Sequence, residues 1–218
     1  MKDLNIRFAK TLGFLRESGF GSAGVGIILG TGASEAASIV TINSKALLSD
    51  APGLPASLVG FQTPTLIYGR IGDVPVIVSD GRLHYYEGHA MADVAAIVYI
   101  MRALGVRRLY INSAVGGINS RYSTGELVLV KDHIYLCSDN PVRGLKDANG
   151  KQIFPNMLSA YGETGRAHIR RVAPEAGIVL KEGTLAYMPG PAFETRAELR
   201  YLASMGADLV GWSMAPEV

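Results

Sequence analysis

Residues 25–34 read VGIILGTGAS: an apolar, largely β-branched run, then Gly-Thr-Gly, then small residues. A short apolar run closed by glycines reads as a buried strand, and the glycines as a tight turn into a helix over 34–40 (SEAASIV). Strands that are apolar throughout and alternate with helices belong to parallel sheets covered on both faces. Fold class therefore turns on whether the pattern repeats. It does. Strands are expected at 25–29, 65–69 (TLIYG), 74–79 (VPVIVS), 108–115 (RLYINSAV), 126–136 (ELVLVKDHIYL), 183–188 (GTLAYM) and 208–214 (DLVGWSM). Helices are expected at 34–40, 92–105, 156–172 and 194–206, the second and fourth closing on Gly105 and Gly206. Leu4, Phe8, Leu12 and Leu15 add an amphipathic helix at the N-terminus. The expectation is one α/β domain over 1–218, a mixed, mainly parallel central β-sheet flanked by helices. The stretches 43–64 and 138–155, rich in Pro, Gly, Ser and Asn, read as loops over the surface near a site.

Composition narrows the function classes. Hydrophobic residues at 48% and charged residues at 18% suit a compact globule. The net charge of +2 comes without a run of Lys and Arg, so nucleic acid is not an expected partner. Charges break every apolar run short of a signal or membrane segment, so no membrane partner is expected either. Cys137 is the single cysteine, which excludes an internal disulfide and a multi-cysteine zinc site and fits a reducing, cytoplasmic location.

In sheets of this kind ligands gather where strands end. Four such places carry polar or glycine-rich sequence. ILGTGAS (28–34) lacks the third glycine of a dinucleotide fingerprint and the lysine of a P-loop, and reads as a bare turn or an oxyanion cradle. GRLHYYEGHA (81–90) crowds Arg82, His84, Tyr86 and Glu87 into one loop: solvated surface groups, or Arg82 and His84 facing an anion with Tyr86 over something flat. NSAVGGINS (112–120) is a strand end with paired glycines, and MPGPAFETRAE (188–198) a turn into a helix that Glu194 is expected to begin.

Taken in order, GTG (30–32), GRLHYYEGH (81–89), AVGGIN (114–119), DHIYL and NPVRG (132–144), FPNMLSAY (154–161), GPAFET (190–195) and GADLVGWSMAPEV (206–218) resemble the trimeric, low-molecular-mass purine nucleoside phosphorylase family, active on 6-oxopurine nucleosides. The resemblance implies a pentosyltransferase of purine salvage. In its reversible reaction phosphate attacks the anomeric carbon of a nucleoside such as inosine or guanosine, giving the free base and ribose or deoxyribose 1-phosphate. It implies inorganic phosphate as co-substrate, no metal and no organic cofactor. By the same resemblance Thr31, Arg82, His84, Ala114 through its backbone N–H, and Ser213 hold phosphate. Tyr86 lies against the ribose, Glu87 organises the phosphate side, Phe193 covers the base and Glu194 accepts from the purine N1–H. Catalysis would rest on Glu194, His84 and Arg82. Phe154 would reach the ribose pocket of an adjacent subunit, implying a homotrimer.

The chain also departs from the pattern. Ser113 stands where relatives often have asparagine, and Trp212 takes the place of a methionine lining the ribose: it could repack, narrow the sugar site or turn outward. Ala215-Pro216-Glu217 opens a helix, beyond which the family continues with an asparagine for purine N7 and O6 and a histidine for the ribose 5′-hydroxyl. A C-terminal part is therefore expected to be missing here. Two alternatives accompany the reading: a catalytically impaired phosphate or nucleoside binder, and a methylthioadenosine phosphorylase, which usually carries serine in place of Glu194. The preferred 6-oxopurine, ribose against deoxyribose, and the physiological direction are open.

Overall fold

The computed structural model describes residues 2–55, 64–147 and 149–218. The chain falls into two compact units, residues 1–114, 139–154 and 217 forming the first, and 115–138, 155–216 and 218 the second. Both are α/β, as the alternation implies.

The first unit holds strands β1 (Val25–Leu29), β2 (Thr41–Leu47), β3 (Thr65–Ile71), β4 (Val74–Asp80) and β5 (Arg108–Ile111) in the order β2-β3-β4-β1-β5. β1 lies parallel to both β4 and β5, while β2, β3 and β4 form an antiparallel meander. On one face Ile28, Leu66 and Ile77 pack with residues from helices α2 (Ala9–Glu17) and α4 (Ala96–Ala103). Phe8, Leu12 and Leu15 enter that core as their helical spacing predicts, with Leu4 of helix α1 (Lys2–Arg7) packed against it. On the other face lie Leu29, Val40, Ile67, Val76 and Val78.

The second unit holds β6 (Gly116–Gly117), β7 (Val128–Tyr135), β8 (Lys181–Tyr187) and β9 (Leu209–Gly211) in the order β6-β9-β8-β7, with β7, β8 and β9 mutually parallel neighbours. Helix α5 (Glu163–Glu175) and helix α6 (Arg196–Ser204) belong to it, and Leu202 of α6 is buried with Ala186 and Val210. The register sets Tyr187 beside Gly211, so β8 and β9 end side by side.

Several local expectations are corrected. Residues 34–39 form a 3-10 helix with no buried residue, because the Ala- and Ser-rich stretch has little apolar surface with which to anchor an α-helix. Thr41–Leu47, which overlaps the stretch 43–64 read as loop, is an edge strand in which only Ala46 is buried. The helix expected over 92–105 is two pieces, α3 (Met91–Val94) and α4, meeting at Ala95. The one expected over 156–172 begins only at Glu163, after a 3-10 turn at Met157–Ser159. Glu194 does not begin α6. The Thr195 hydroxyl accepts from the Glu198 N–H at 3.2 Å and the Glu198 carboxylate accepts from the Thr195 N–H at 2.7 Å. This reciprocal cap starts the helix at Arg196 and leaves Glu194 outside it.

Candidate active site

Three of the four loop segments meet in the first unit, because the strands that carry them are adjacent and parallel. Leu29 pairs with Asp80 and Ile28 with Ile111, so the turn at 30–32, the loop from 81 and the segment 112–114 leave the same edge of the sheet. Gly30 allows the approach: a Cβ there would lie 2.8 Å from the Asn112 carbonyl oxygen and 3.0 Å from the Ser113 Cα. Gly32 follows with φ 81°, a left-handed conformation natural to glycine. Thr31 between them is exposed, as is Ala114.

Of the two readings of Arg82, a solvated surface group or a guanidinium facing an anion, the solvated one is corrected by its burial. Its side chain is 1% exposed and pairs at 2.5 Å with Glu217, whose side chain is equally buried. A second guanidinium nitrogen donates to the Asn112 carbonyl, tying the 112–114 backbone to the loop. The planar fork is thus turned toward a carboxylate and a carbonyl of the chain itself.

His84 and Glu87 form the next element. The His84 backbone N–H donates to Glu87 Oε1 at 3.0 Å, and the ring Nδ1 lies 2.9 Å from the same oxygen. The Glu87 carboxylate is buried and lies 3.4 Å from His89 Nε2. Glu87 is therefore an inward group that sets the His84 ring. Burial, with smaller contributions from Arg82 and His89, holds the His84 imidazole below its ordinary 6.5 despite the pull of Glu87 in the other direction. Tyr86 stacks on His84 with centroids 4.8 Å apart and planes at 22°, and burial, then the Glu87 charge, raises its phenol.

The second unit carries the other group. Met188 N–H donates to Gly211 O, which binds the turn after β8 to the end of β9. Gly190 (φ 68°) packs against the indole of Trp212: a Cβ there would meet ring atoms at 3.0 to 3.3 Å. Phe193 is 84% exposed and its ring centroid lies 4.7 Å from that of Trp212. Glu194, half-buried, accepts from Trp212 Nε1–H at 3.1 Å, and among the described residues no cation pairs with it. Ser213 is half-buried. Met214 has φ 74° and ψ −56°, and Ala215 N–H donates across it to Ser213 O, which makes a γ-turn of the strained, positive-φ kind. Phe154, in the first unit, is 83% exposed.

The architecture and the order of these loops agree with comparisons of the whole chain. Residues 24–218 match the phosphorylase superfamily profile. The chain belongs to this superfamily. Among its phosphorylases, purine nucleoside phosphorylase 1 of Geobacillus stearothermophilus is 38% identical over 205 residues, 94% of this chain and 75% of that protein. Purine nucleoside phosphorylase 1 of Bacillus subtilis is 35% identical over 218 residues, all of this chain and 79% of that protein. A crystal structure of purine nucleoside phosphorylase with ribose-1-phosphate superposes with a TM-score of 0.91 at 32% identity, covering 98% of this chain and 80% of that one. The Schistosoma mansoni enzyme with acetate gives 0.89 at 31% identity, over 97% and 79%. This phosphorylase is accordingly an enzyme, a pentosyltransferase grouped with the purine nucleoside phosphorylases.

Sequence reasoning missed His89 as the second flank of Glu87, although it lies two residues beyond it. It also missed Glu217, which pairs with Arg82 across 135 residues and carries no local signal. No helix among the described residues is long and apolar enough to cross a membrane.

Proposed function

We propose that the enzyme catalyses phosphorolysis of 6-oxopurine ribo- and deoxyribonucleosides. The observation that carries this reading is Glu194: a half-buried carboxylate that pairs with no cation among the described residues, beside an exposed aromatic ring. A carboxylate accepts and does not donate, so it matches the N1–H of hypoxanthine or guanine and opposes adenine, whose N1 is also an acceptor.

Phosphate attacks the anomeric carbon as the glycosidic C–N bond breaks, and the electron pair of that bond passes to the purine. The transition state is oxocarbenium-like, so catalysis requires an anion held at the sugar and a base steadied as it becomes anionic. Thr31, the Ala114 N–H, Ser213 and His84 are assigned to phosphate. Arg82 holds the 112–114 backbone against the glycine turn and offers phosphate the N–H groups that Glu217 and Asn112 leave. Tyr86 lies against ribose and Phe193 against the base. Neither a metal nor an organic cofactor takes part. The exposed Phe154 fits a ring presented to a neighbouring subunit in a homotrimer. A phosphate-dependent assay comparing inosine, guanosine, xanthosine and adenosine tests the proposal. Inosine and guanosine should be cleaved at least about a hundredfold more efficiently than adenosine; equal rates would overturn the assignment of Glu194.

A further inference from the structure

We infer that Trp212 is a positioning residue: its indole Nε1–H holds Oε1 of Glu194, so that the carboxylate meets the purine through Oε2. The inference rests on the reading that Glu194 binds the base edge, and specifies how that group is set.

A glutamate ahead of a helix cap has three side-chain torsions and no helical neighbours to restrain it. Here one donor at 3.1 Å fixes an oxygen and, with it, the carboxylate plane. The donor is itself fixed. Gly211, immediately before Trp212, is buried at the end of β9 and paired in register with Tyr187. Met188 N–H bonds to the Gly211 carbonyl, which brings the turn at 188–190 alongside the indole. Gly190 then packs against the ring, close enough that a Cβ would press on Cδ2 and Cγ at 3.0 and 3.1 Å. Phe193 adds a second ring at 4.7 Å and 46°. Immediately after Ser213 the γ-turn at Met214 redirects the backbone. Every contact made by Trp212 here restrains a rigid bicyclic side chain whose one donor points at Glu194. A methionine, the residue that the resemblance places at this position, has no N–H to give. The chain therefore carries a specificity device of its own, in which the oxygen left facing the ligand is defined and the aromatic wall that contacts a purine is continuous with the group that orients it.

The test combines Trp212→Phe, which keeps a ring and deletes the donor, with Glu194→Ala. In the otherwise native enzyme Trp212→Phe should lower kcat/KM for inosine about tenfold, about 1.4 kcal/mol, and leave the phosphate KM within about twofold. In the Glu194→Ala background the same substitution should cost less than about twofold, because the group it positions is gone. An equal loss in both backgrounds, or none in the native one, overturns the inference while the base-edge role stands on the loss from Glu194→Ala alone. No loss from Glu194→Ala overturns both. A direct reading uses the single indole N–H resonance of the full chain in a nitrogen–proton correlation spectrum. It should lie downfield in the native protein and move upfield in Glu194→Gln as a charged acceptor becomes neutral; an unmoved resonance excludes the contact, whatever the stability of the Trp212→Phe variant.

Discussion

The loop at 81–90 and the turn at 188–194 both follow a strand of a parallel pair, yet they meet solvent in opposite ways. In the first, the side chains of Arg82, Glu87 and His89 are buried, Arg82 pairing with Glu217 and the Asn112 carbonyl and Glu87 lying against His84 and His89. In the second, Phe193 is almost fully exposed, and among the described residues one side-chain hydrogen bond, from Trp212, sets Glu194. A buried ionic network is built for rigidity, since removing one member strands another charge in a medium of low dielectric. An exposed ring beside a lightly tethered carboxylate makes little contribution to the fold and is available to a ligand. Substitutions in the two loops should therefore separate stability from catalysis.

The largest separation is expected at Arg82. Arg82→Ala leaves the Glu217 carboxylate buried without its partner and should cost about 3–5 kcal/mol of unfolding free energy in urea. Replacing the pair together, Arg82→Met with Glu217→Leu, should recover most of that, since a buried pair exchanged for apolar groups is often neutral. A near-native midpoint for Arg82→Ala would place this loop with the exposed one and remove the contrast.

Glu194→Gln should do the reverse. The amide keeps the shape and the acceptor for Trp212 but loses the charge, so inosine turnover should fall with a barrier rise of about 2–4 kcal/mol, about thirtyfold to several-hundredfold, at an unchanged urea midpoint. Because glutamine can present an N–H to adenine N1, the inosine-to-adenosine ratio of kcat/KM should also fall. A ratio that holds would take Glu194 away from the base.

His84 lies between these extremes, and pH resolves its part. With Nδ1 directed at Glu87, Nε2 donates only when the ring is cationic. Burial lowers its pKa below 6.5, so the ring is neutral at pH 7 and gains its proton on acidification. The phosphate KM of His84→Ala should be close to native near pH 8 and rise relative to native, up to about tenfold, as pH falls through the lowered pKa of the ring, about 1.4 kcal/mol for one charged hydrogen bond. The linkage to folding has the opposite sense. The unfolded chain takes the proton first, so native His84 lowers stability as pH falls through 6.5 toward its folded value, and His84→Ala should flatten that slope.

The smallest structural effect is expected at Phe193. Phe193→Ala should change unfolding free energy by no more than about 0.5 kcal/mol while raising the nucleoside KM severalfold, as steady-state kinetics beside a denaturation curve would show.

The same contrast explains what was readable beforehand. Strands β1, β3 and β4 were legible because each carries a run of β-branched and other apolar residues and its ends are marked by glycine or proline. β2 was not, since Thr41, Asn43 and Ser44 lack the apolar signal and the strand is held by ladder hydrogen bonds to β3 rather than by burial. Arg82 and His84 were legible as candidates because the loop is chemically dense, but the burial of Arg82 depends on Glu217, far away in sequence, which no local pattern announces. Glu194 was legible as a carboxylate and misplaced as a helix residue, because Thr195 and Glu198 form the cap one position later. Of the three settings open to Trp212, the structure selects a half-buried one directed at Glu194, a choice made by the parallel register of β8 and β9 rather than by the sequence around either.

One consequence follows from having a single tryptophan, among ten tyrosines, beside Glu194 and Phe193. Excited where tyrosine does not absorb, the intrinsic fluorescence of the chain comes entirely from the indole that contacts the proposed base wall. A purine stacking there would quench or shift that emission. The enzyme thus carries its own optical gauge of base occupancy, one that reads binding before any bond is broken.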